Sequence, residues 1–170
     1  MKLSILIPTV PSRKSSLRAV LEKLESQPDD GVHIITLYDN KRWTVGAKRN
    51  KLLHLADSEY VCFIDDDDEV SKEYVGAIIE ATESKPDLIT FNVRYTSDKG
   101  EDYICKYGEG QRPAHVHVWR NENLTDFPET NVGEDTRWVK NNLSNVTNVV
   151  HIEKTLYHYK FNSKNTETQK

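Results

Sequence analysis

Five consecutive acids, Asp65 to Glu69, follow directly after the apolar run 60–64. Neighbouring carboxylates repel one another by roughly 1 kcal/mol per close pair even in water, so the run is costly unless a cation offsets it. Carboxylate oxygens are the ligands that Mg²⁺ and Mn²⁺ prefer. A solvated acidic turn is the alternative interpretation. The strand-like segment before the acids favours a cation site, because open α/β sheets bind ligands beyond the carboxyl ends of their strands.

A second pair of acids, Glu134 and Asp135, follows Gly133 where a short helix, 136–142, is predicted. A carboxylate in this position can act as a general base, which takes a proton from a reacting hydroxyl. It can equally serve the helix itself, since acidic side chains stabilise the positive N-terminal end. The residues alone leave both interpretations open.

Basic and polar side chains stand at other predicted strand ends and helix starts. Lys48 and Arg49 begin a predicted helix, an unfavourable place for cations, so contact with an anion is favoured over a solvated basic face. Pro8 and Thr9 end the first predicted strand, and Asp39 follows the second. Each alone fits ordinary loop chemistry, but the ends of adjacent parallel strands converge on one crevice.

These residues need a scaffold, and the sequence alternates strand-like and helix-like segments up to about residue 95. Residues 3–7 are apolar on both faces, as in a central strand that helices cover on both sides. The alternation predicts an α/β fold, a Rossmann-like three-layer α/β/α arrangement around a mostly parallel central sheet. The other predicted strands are 32–38, 59–64 and 87–93, and the predicted helices begin at an N-cap Ser12, at Ala47 and after a capping Ser71.

The pattern changes after residue 95. Segments 103–107 and 115–119 resemble strands around a glycine-rich turn and predict a small mixed or antiparallel annex. Two late strands are predicted at 146–152 and 155–161. Residues 162–170 are polar and predicted to form a disordered tail.

Length and charge limit the classes of function. A chain of 170 residues fits one domain, predicted over 1–161. The net charge of −4 provides no general attraction to nucleic acid, so binding a polyanion would need a local basic patch. No apolar run is long enough to span a membrane, and no signal-type run follows Met1, so a cytoplasmic location is expected.

Several of these segments together resemble the nucleotide-binding half of family-2 glycosyltransferases with the GT-A fold. The resemblance covers residues 1–80 and, more loosely, 130–160, where it includes a Glu-Asp motif and a C-terminal strand; it does not extend to 95–130. It implies a nucleotide-sugar-binding half at 1–95 and an acceptor and catalytic half at 96–161. The matching segments are Ser4–Thr9, Asp39, Gly46–Leu53, Ala56, Glu59–Asp68, Gly133–Trp138 and Leu156–Tyr159.

The resemblance implies a role for each acid of the run. Asp65 lies near the ribose, Asp66 contacts the donor, and Asp67 holds Mn²⁺ or Mg²⁺ that bridges the two phosphates of a nucleotide-sugar. Four consecutive aspartates leave the register open, so Asp66 or Asp68 are the alternative metal ligands. His158 is implied as a late metal ligand, because alternation turns it away from its two tyrosine neighbours, and His151 competes with it.

The other candidate residues take their implied roles from the same resemblance. Pro8, Thr9 and Asp39 form the nucleoside pocket, where Asp39 accepts a hydrogen bond from the base. Lys48 and Arg49 contact the donor. A packing role is favoured for His115 and His117, although two histidines on one strand face could line an acceptor cleft.

The implied reaction is an inverting transfer by a hexosyl- or pentosyltransferase. Asp135, next to Glu134, takes the proton of an acceptor hydroxyl, and the diphosphate of the donor, a UDP-sugar by family habit, leaves. A soluble glycan or another hydroxyl compound is the favoured acceptor, since the chain has no membrane segment.

Three alternatives remain for function. The same chemistry could act on a hydroxymethylated base of viral DNA, which the net charge disfavours. A non-catalytic nucleotide-sugar-binding module is the second. Nucleotidyl transfer is the third. It would need a glycine-rich phosphate loop after the first strand, and residues 8–13 do not form one. The groove for a flipped base would be built from Lys99, Lys106, Arg112, Arg120, Tyr103, Tyr107 and Trp119.

Overall fold

The structure, a computed structural model, describes residues 1–27, 30–108 and 110–163. The strands are β1 (Leu3–Thr9), β2 (Val32–Tyr38), β3 (Tyr60–Phe63), β4 (Glu69–Val70), β5 (Leu88–Ser97), β6 (Asp102–Cys105), β7 (Val118–Arg120) and β8 (Val149–Phe161). The helices are α1 (Lys14–Glu25), α2 (Val45–Leu55), α3 (Tyr74–Thr82) and α4 (Glu134–Leu143), and a 3-10 turn, Pro11–Arg13, precedes α1. The predicted tail lies outside the described residues from 164 onward, and Ser163 donates a backbone hydrogen bond to Asp98.

One mixed sheet runs through the described part of the chain. Its strand order is β2-β1-β3-β7-β5-β8-β4, and β6 pairs with β5 beside this path. The pairs β1–β2, β1–β3 and β5–β8 are parallel, and the other described pairs are antiparallel. The predicted α/β fold is confirmed, with the antiparallel strands β6 and β7 joined to the main sheet.

Alternate residues of the central strands enter two separate cores, one on each face of the sheet. Ile5 and Cys62 pack with residues of α1 and α3 on one face. Leu6 and Phe63 pack with α2 and α4 on the other. This period of two is what a strand covered on both sides requires, and it confirms the three-layer arrangement. Among the described helices, none is long and apolar enough to cross a lipid bilayer.

The late part of the chain differs from the prediction. The two strands predicted at 146–152 and 155–161 are one strand, β8, with irregular register opposite Phe91–Val93. A bulge keeps both halves hydrogen-bonded to β5, which local sequence does not signal. The strand predicted at 115–119 is also wrong, because β7 begins at Val118 and the preceding residues form a turn that places His117 against Phe91.

The starts of the described helices also differ from the prediction: the N-cap of α3 is Glu73 and not Ser71, and α4 begins at Glu134, two residues before the predicted start. Ser12 is not an N-cap, since Pro11 opens the 3-10 turn and α1 begins after it at Lys14. The helix predicted from Ala47 begins two residues earlier, where the Thr44 hydroxyl accepts a hydrogen bond from the Ala47 backbone N–H. The Thr44 cap therefore fixes the first turn of α2, which carries the buried cations described below.

The loop before α4 packs on the first turns of α2. The Asn50 side chain both donates to and accepts from the backbone of Phe127, and the Gly46 N–H donates to the Thr130 carbonyl. A Cβ built on Gly46 would lie 1.9 Å from the Pro128 carbonyl oxygen. This close backbone contact joins α2 to the segment that delivers α4.

We predict that Gly46→Ala destabilises the protein, by about 1–3 kcal/mol, because the added methyl group overlaps backbone that must move. Gly76, on the exposed side of α3 with nothing within 4 Å of its Cβ position, provides the matched control. Gly76→Ala is expected to raise the free energy of unfolding by about 0.5–1 kcal/mol through helix propensity. Urea unfolding of both variants measures the difference, and equal stabilities would contradict the close contact.

Candidate active site

The four aspartates after β3 have different partners. Asp68 is buried, and its carboxylate accepts from the Tyr157 hydroxyl at 2.7 Å and from the Lys160 backbone N–H at 2.8 Å. The Tyr157 hydroxyl also accepts from the Asp65 backbone N–H at 3.1 Å. Burial and the nearby Asp65 charge raise the pKa of Asp68 well above its ordinary value. Asp68 therefore holds the acid loop to β8, which disfavours it as a metal ligand.

Asp66 and Asp67 share one guanidinium. Arg13 lies 2.8 Å from Asp66 and 3.1 Å from Asp67, one terminal nitrogen on each carboxylate. Asp66 is buried, whereas the Asp67 side chain is 32% exposed. Burial raises the pKa of Asp67 to about 6, helped by the charges of Asp65 and Asp66 and opposed by Arg13. The one positive charge of Arg13 therefore offsets only part of the negative charge of Asp66 and Asp67.

Asp65 belongs to a buried ion network with Arg49 and Glu134. Arg49 donates to Asp65 at 3.0 Å and to Glu134 at 2.8 Å from its two terminal nitrogens. Its guanidinium also lies over the Phe63 and Phe127 rings. Burial alone would raise the pKa of Asp65, but the Arg49 charge holds it well below its ordinary value. Arg49 was predicted to contact an anion. It contacts two, the carboxylates of Asp65 and Glu134.

Lys48 joins the ends of β1 and β2. Its ammonium donates to the Thr9 carbonyl at 3.1 Å and pairs with the Asp39 carboxylate. Asp39 also accepts backbone hydrogen bonds from Arg42 at 2.7 Å and Trp43 at 3.2 Å. Burial alone would raise the pKa of Asp39, but these hydrogen bonds lower it. The predicted convergence of Thr9 and Asp39 at one sheet edge is thus built around the Lys48 ammonium.

These networks surround a cleft at the carboxyl ends of β1 and β3. Except for Asp39, the residues predicted to bind the donor all line it, together with Asp67. Sequence reasoning misses Arg13, Tyr159 and Lys160, although a cation in the loop after the first strand was an available signal for Arg13. The lining residues are Pro8, Thr9, Val10, Arg13, Val45, Lys48, Arg49, Asp65, Asp66, Asp67, Tyr159 and Lys160.

The two candidate late histidines lie elsewhere. His158 contacts the Thr96 hydroxyl at 2.8 Å and lies 3.6 Å from Glu69. His151 contacts Thr90 at 2.9 Å. Neither lines the cleft. Alternation does turn His158 away from its tyrosine neighbours, but Tyr159 is the side chain that faces the cleft, so the structure does not bring His158 to Asp67.

Mg²⁺ and Mn²⁺ require several oxygen ligands around the ion. Across the described residues there is no group of three or more His, Cys, Asp or Glu that could hold a metal. A cation bound to a diphosphate needs fewer protein ligands, since phosphates and waters supply the rest and one or two carboxylates suffice. Asp67 and Asp66, with one buried Asp66 oxygen lacking a hydrogen-bond partner among the described residues, fit that smaller requirement.

The second candidate region lies at the start of α4. Glu134 is buried against Arg49, whereas the Asp135 side chain is 40% exposed. One Asp135 oxygen accepts from the Thr136 backbone N–H at 2.6 Å, and the other lies 3.7 Å from His115. Of the two acids, only Asp135 is placed to meet a molecule from solvent. A shallow pocket beside it is lined by Arg112, Pro113, Ala114, His115, Asp135, Thr136 and Val139.

Two residues proposed for a nucleic-acid groove lie apart from this region. Trp119 is buried in the core, and Arg120 packs against Tyr60, Glu59 and Asp87 near the start of β5. Tyr103, by contrast, is exposed and stacks on Tyr95. Trp119 and Arg120 are therefore not available to a groove beside Asp135, whereas Arg112 does line the pocket there.

A protein-family model matches most of the chain. The family model described as Glycosyl transferase family 2 matches residues 11–141. The chain belongs to glycosyl transferase family 2. This match spans both the acid run and the Glu134–Asp135 pair, so the resemblance based on those motifs is confirmed for the family. No curated protein sequence matches the chain significantly.

Solved structures support the GT-A fold of this family-2 chain. S. aureus TarS 1-349 in complex with UDP-GlcNAc aligns with a TM-score of 0.81 at 16% identity, over 100% of this chain and 61% of that one. The UDP complex of TarS 1-349 aligns with a TM-score of 0.79 at 18% identity, over 95% and 61%. A longer TarS structure aligns at 0.78 and 17%, over 95% and 37%. The chain thus spans between about a third and two thirds of these structures.

The raised pKa of Asp67 predicts a pH-dependent stability of the ligand-free protein. The folded state keeps this proton to a higher pH than the unfolded chain, so the stabilisation is complete below the ordinary aspartate pKa and is lost as pH rises to about 6. Asp67→Asn should therefore reduce the fall in free energy of unfolding between about pH 4 and about pH 6.

Urea titrations across that range measure the effect. Asp102→Asn is the control, because the hydrogen bond from Arg94 lowers the pKa of exposed Asp102 and its contribution has the opposite sign. An unchanged slope in Asp67→Asn would show that Asp67 titrates normally.

Proposed function

We propose that this family-2 chain transfers a sugar from a nucleotide-diphospho-sugar, a UDP-sugar, to an acceptor hydroxyl with inversion at the sugar carbon. The observation that carries the proposal is the bridging position of Arg49. One guanidinium pairs with Asp65 in the cleft and with Glu134 next to the exposed Asp135. Arg49 therefore links a carboxylate of the predicted donor site to the residue that precedes the predicted base. The TarS complexes, which contain UDP-GlcNAc or UDP, support a nucleotide-sugar as donor.

The cleft suits a diphosphate because it combines carboxylates with cations. Arg13, which pairs with Asp66 and Asp67, and Lys160, which pairs with Glu69, both line it and would add positive charge next to the phosphate oxygens. Asp67, assisted by Asp66, would hold Mn²⁺ or Mg²⁺, which when bound neutralises charge on the leaving diphosphate. Thr9 and Pro8 close the cleft on the side where Lys48 ties β1 to β2. Glu134 acts in this scheme by holding Arg49.

Asp135 performs the proton transfer in this proposal. Its exposed carboxylate takes the proton of the acceptor hydroxyl as the oxygen bonds to the sugar carbon, while the bond from that carbon to the diphosphate breaks. The nucleoside diphosphate leaves with the bonding electron pair. Burial against Arg49 removes Glu134 from this role. The preferred acceptor is a soluble glycan, since the net charge of −4 opposes a nucleic acid.

A transfer assay with purified protein tests the proposal. UDP-sugars are supplied with Mn²⁺, and soluble oligosaccharides or hydroxymethylated duplex DNA serve as parallel acceptors at low and moderate salt. Sugar transfer to an oligosaccharide is the expected result. Transfer to the DNA alone would select the nucleic-acid alternative, and nucleotide binding without transfer or donor hydrolysis would select the non-catalytic module.

Asp135→Asn is expected to lower turnover by roughly two to four orders of magnitude, because the amide cannot take the acceptor proton. Calorimetric UDP binding should not change, since Asp135 does not line the donor cleft. Parallel losses of binding and turnover would make Asp135 a structural residue.

Asp67→Asn is expected to weaken Mn²⁺-dependent UDP binding by about tenfold or more, the usual loss when a carboxylate that supports a metal site is removed. Calorimetry with and without Mn²⁺ isolates the metal-dependent part of the affinity. Asp135→Asn is the matched control, since it removes an acid outside the cleft. Equal Mn²⁺ dependence in wild type and Asp67→Asn would place the metal elsewhere.

A further inference from the structure

His115 lies between the donor cleft and the proposed base. Its Nε2 is 3.1 Å from an Arg49 terminal nitrogen and 3.6 Å from Asp65, and its Nδ1 is 3.7 Å from Asp135. The side chain is only 12% exposed. Among the described residues, His115 is the one that these contacts place against both Asp65 and Asp135. It has no role in the donor binding or the proton transfer proposed above.

The contact with Arg49 fixes the tautomer of His115. A guanidinium has only N–H donors, so the ring nitrogen that faces it must accept. The same Arg49 nitrogen carries two hydrogens, one directed to Asp65 and one to Nε2 of His115. In the neutral imidazole the remaining proton is then on Nδ1, the nitrogen that faces Asp135.

We propose that His115 is a positioning residue for Asp135: its Nδ1–H closes onto the Asp135 carboxylate when the acceptor is bound. This rests on the proposed function. The present 3.7 Å separation is too long for a hydrogen bond, but catalytic hydrogen bonds in ligand-free enzymes are often long and tighten in the substrate complex. The proposal requires a small rotation of the Asp135 side chain, which is 40% exposed.

This contact would set the direction of the base. One Asp135 oxygen already accepts from the Thr136 N–H, and His115 would hold the other. The carboxylate plane is then fixed relative to Arg49 and Asp65, and through them relative to the donor cleft. Correct orientation of a reacting group contributes as much as its chemistry, and a misplacement of about 1 Å costs about a hundredfold.

Two conservative variants separate this role from simple packing. The amide nitrogen of asparagine takes the place of Nδ1, whereas that of glutamine takes the place of Nε2. His115→Asn should keep turnover within about fivefold of wild type, while His115→Gln and His115→Ala should lose about 10- to 100-fold. In His115→Gln and His115→Ala the loss should fall on kcat more than on KM for the UDP-sugar. Equal losses in Asn and Gln, better activity in Gln, or full activity in Ala would each overturn the proposal.

A spectroscopic measurement tests the tautomer without any turnover. Long-range ¹H–¹⁵N NMR correlation of the wild-type protein distinguishes Nδ1–H from Nε2–H imidazoles. His117 is the internal control with the opposite tautomer, because its Nδ1 accepts from the Ala114 N–H and its Nε2 faces the Phe91 carbonyl. Burial lowers the pKa of His117 to about 3, so it stays neutral.

Nδ1–H at His115 beside Nε2–H at His117 is the expected result. An Nε2–H tautomer at His115 overturns the proposal even in an active enzyme. Absence of transfer in the wild type would instead refute the proposed function, and the NMR result would still report the His115 geometry.

Discussion

The buried guanidinium of Arg49 is the constraint on which the site depends. A charge removed from water is tolerated only when it is paired and hydrogen-bonded, and removing one partner typically costs about 3–5 kcal/mol. Arg49 meets this requirement with Asp65 after β3 and Glu134 at the start of α4. The residues between these two acids must therefore fold so that both return to α2, which brings the two halves of the site together.

The repulsion within the acid run is reduced because its carboxylates contact separate partners. Asp65 is paired through α2, Asp66 and Asp67 through Arg13, and Asp68 through β8. Of the four aspartates, Asp67 keeps the most exposed side chain, and burial of its carboxylate together with the Asp65 and Asp66 charges raises its pKa to about 6. In the proposed function, the bound metal ion would supply the positive charge that Asp66 and Asp67 lack, and without it the repulsion between them costs stability.

Sequence reasoning identified what local pattern determines. Each of the strands β1, β2 and β3 is signalled by a short run of neighbouring residues rich in apolar side chains. Their positions, and the crevice at their carboxyl ends, could therefore be predicted. It failed where partners are distant in sequence. His158 and Tyr159 differ only in which face of β8 they occupy, and the bulged register with β5 that decides this leaves no local signal. His115 was predicted on a strand, as a packing residue or as part of an acceptor cleft, but it lies in a turn beside Arg49 and Asp135, which are distant in sequence.

In the proposed function the cleft between Arg13, Lys48 and Asp67 binds the donor. A crystal structure of the protein with UDP and Mn²⁺ would show whether it does. We expect the diphosphate beside Arg13 and Asp67, with the nucleoside directed toward Thr9 and Asp39. Nucleotide bound in the pocket beside Asp135, or anywhere outside the cleft, would contradict it.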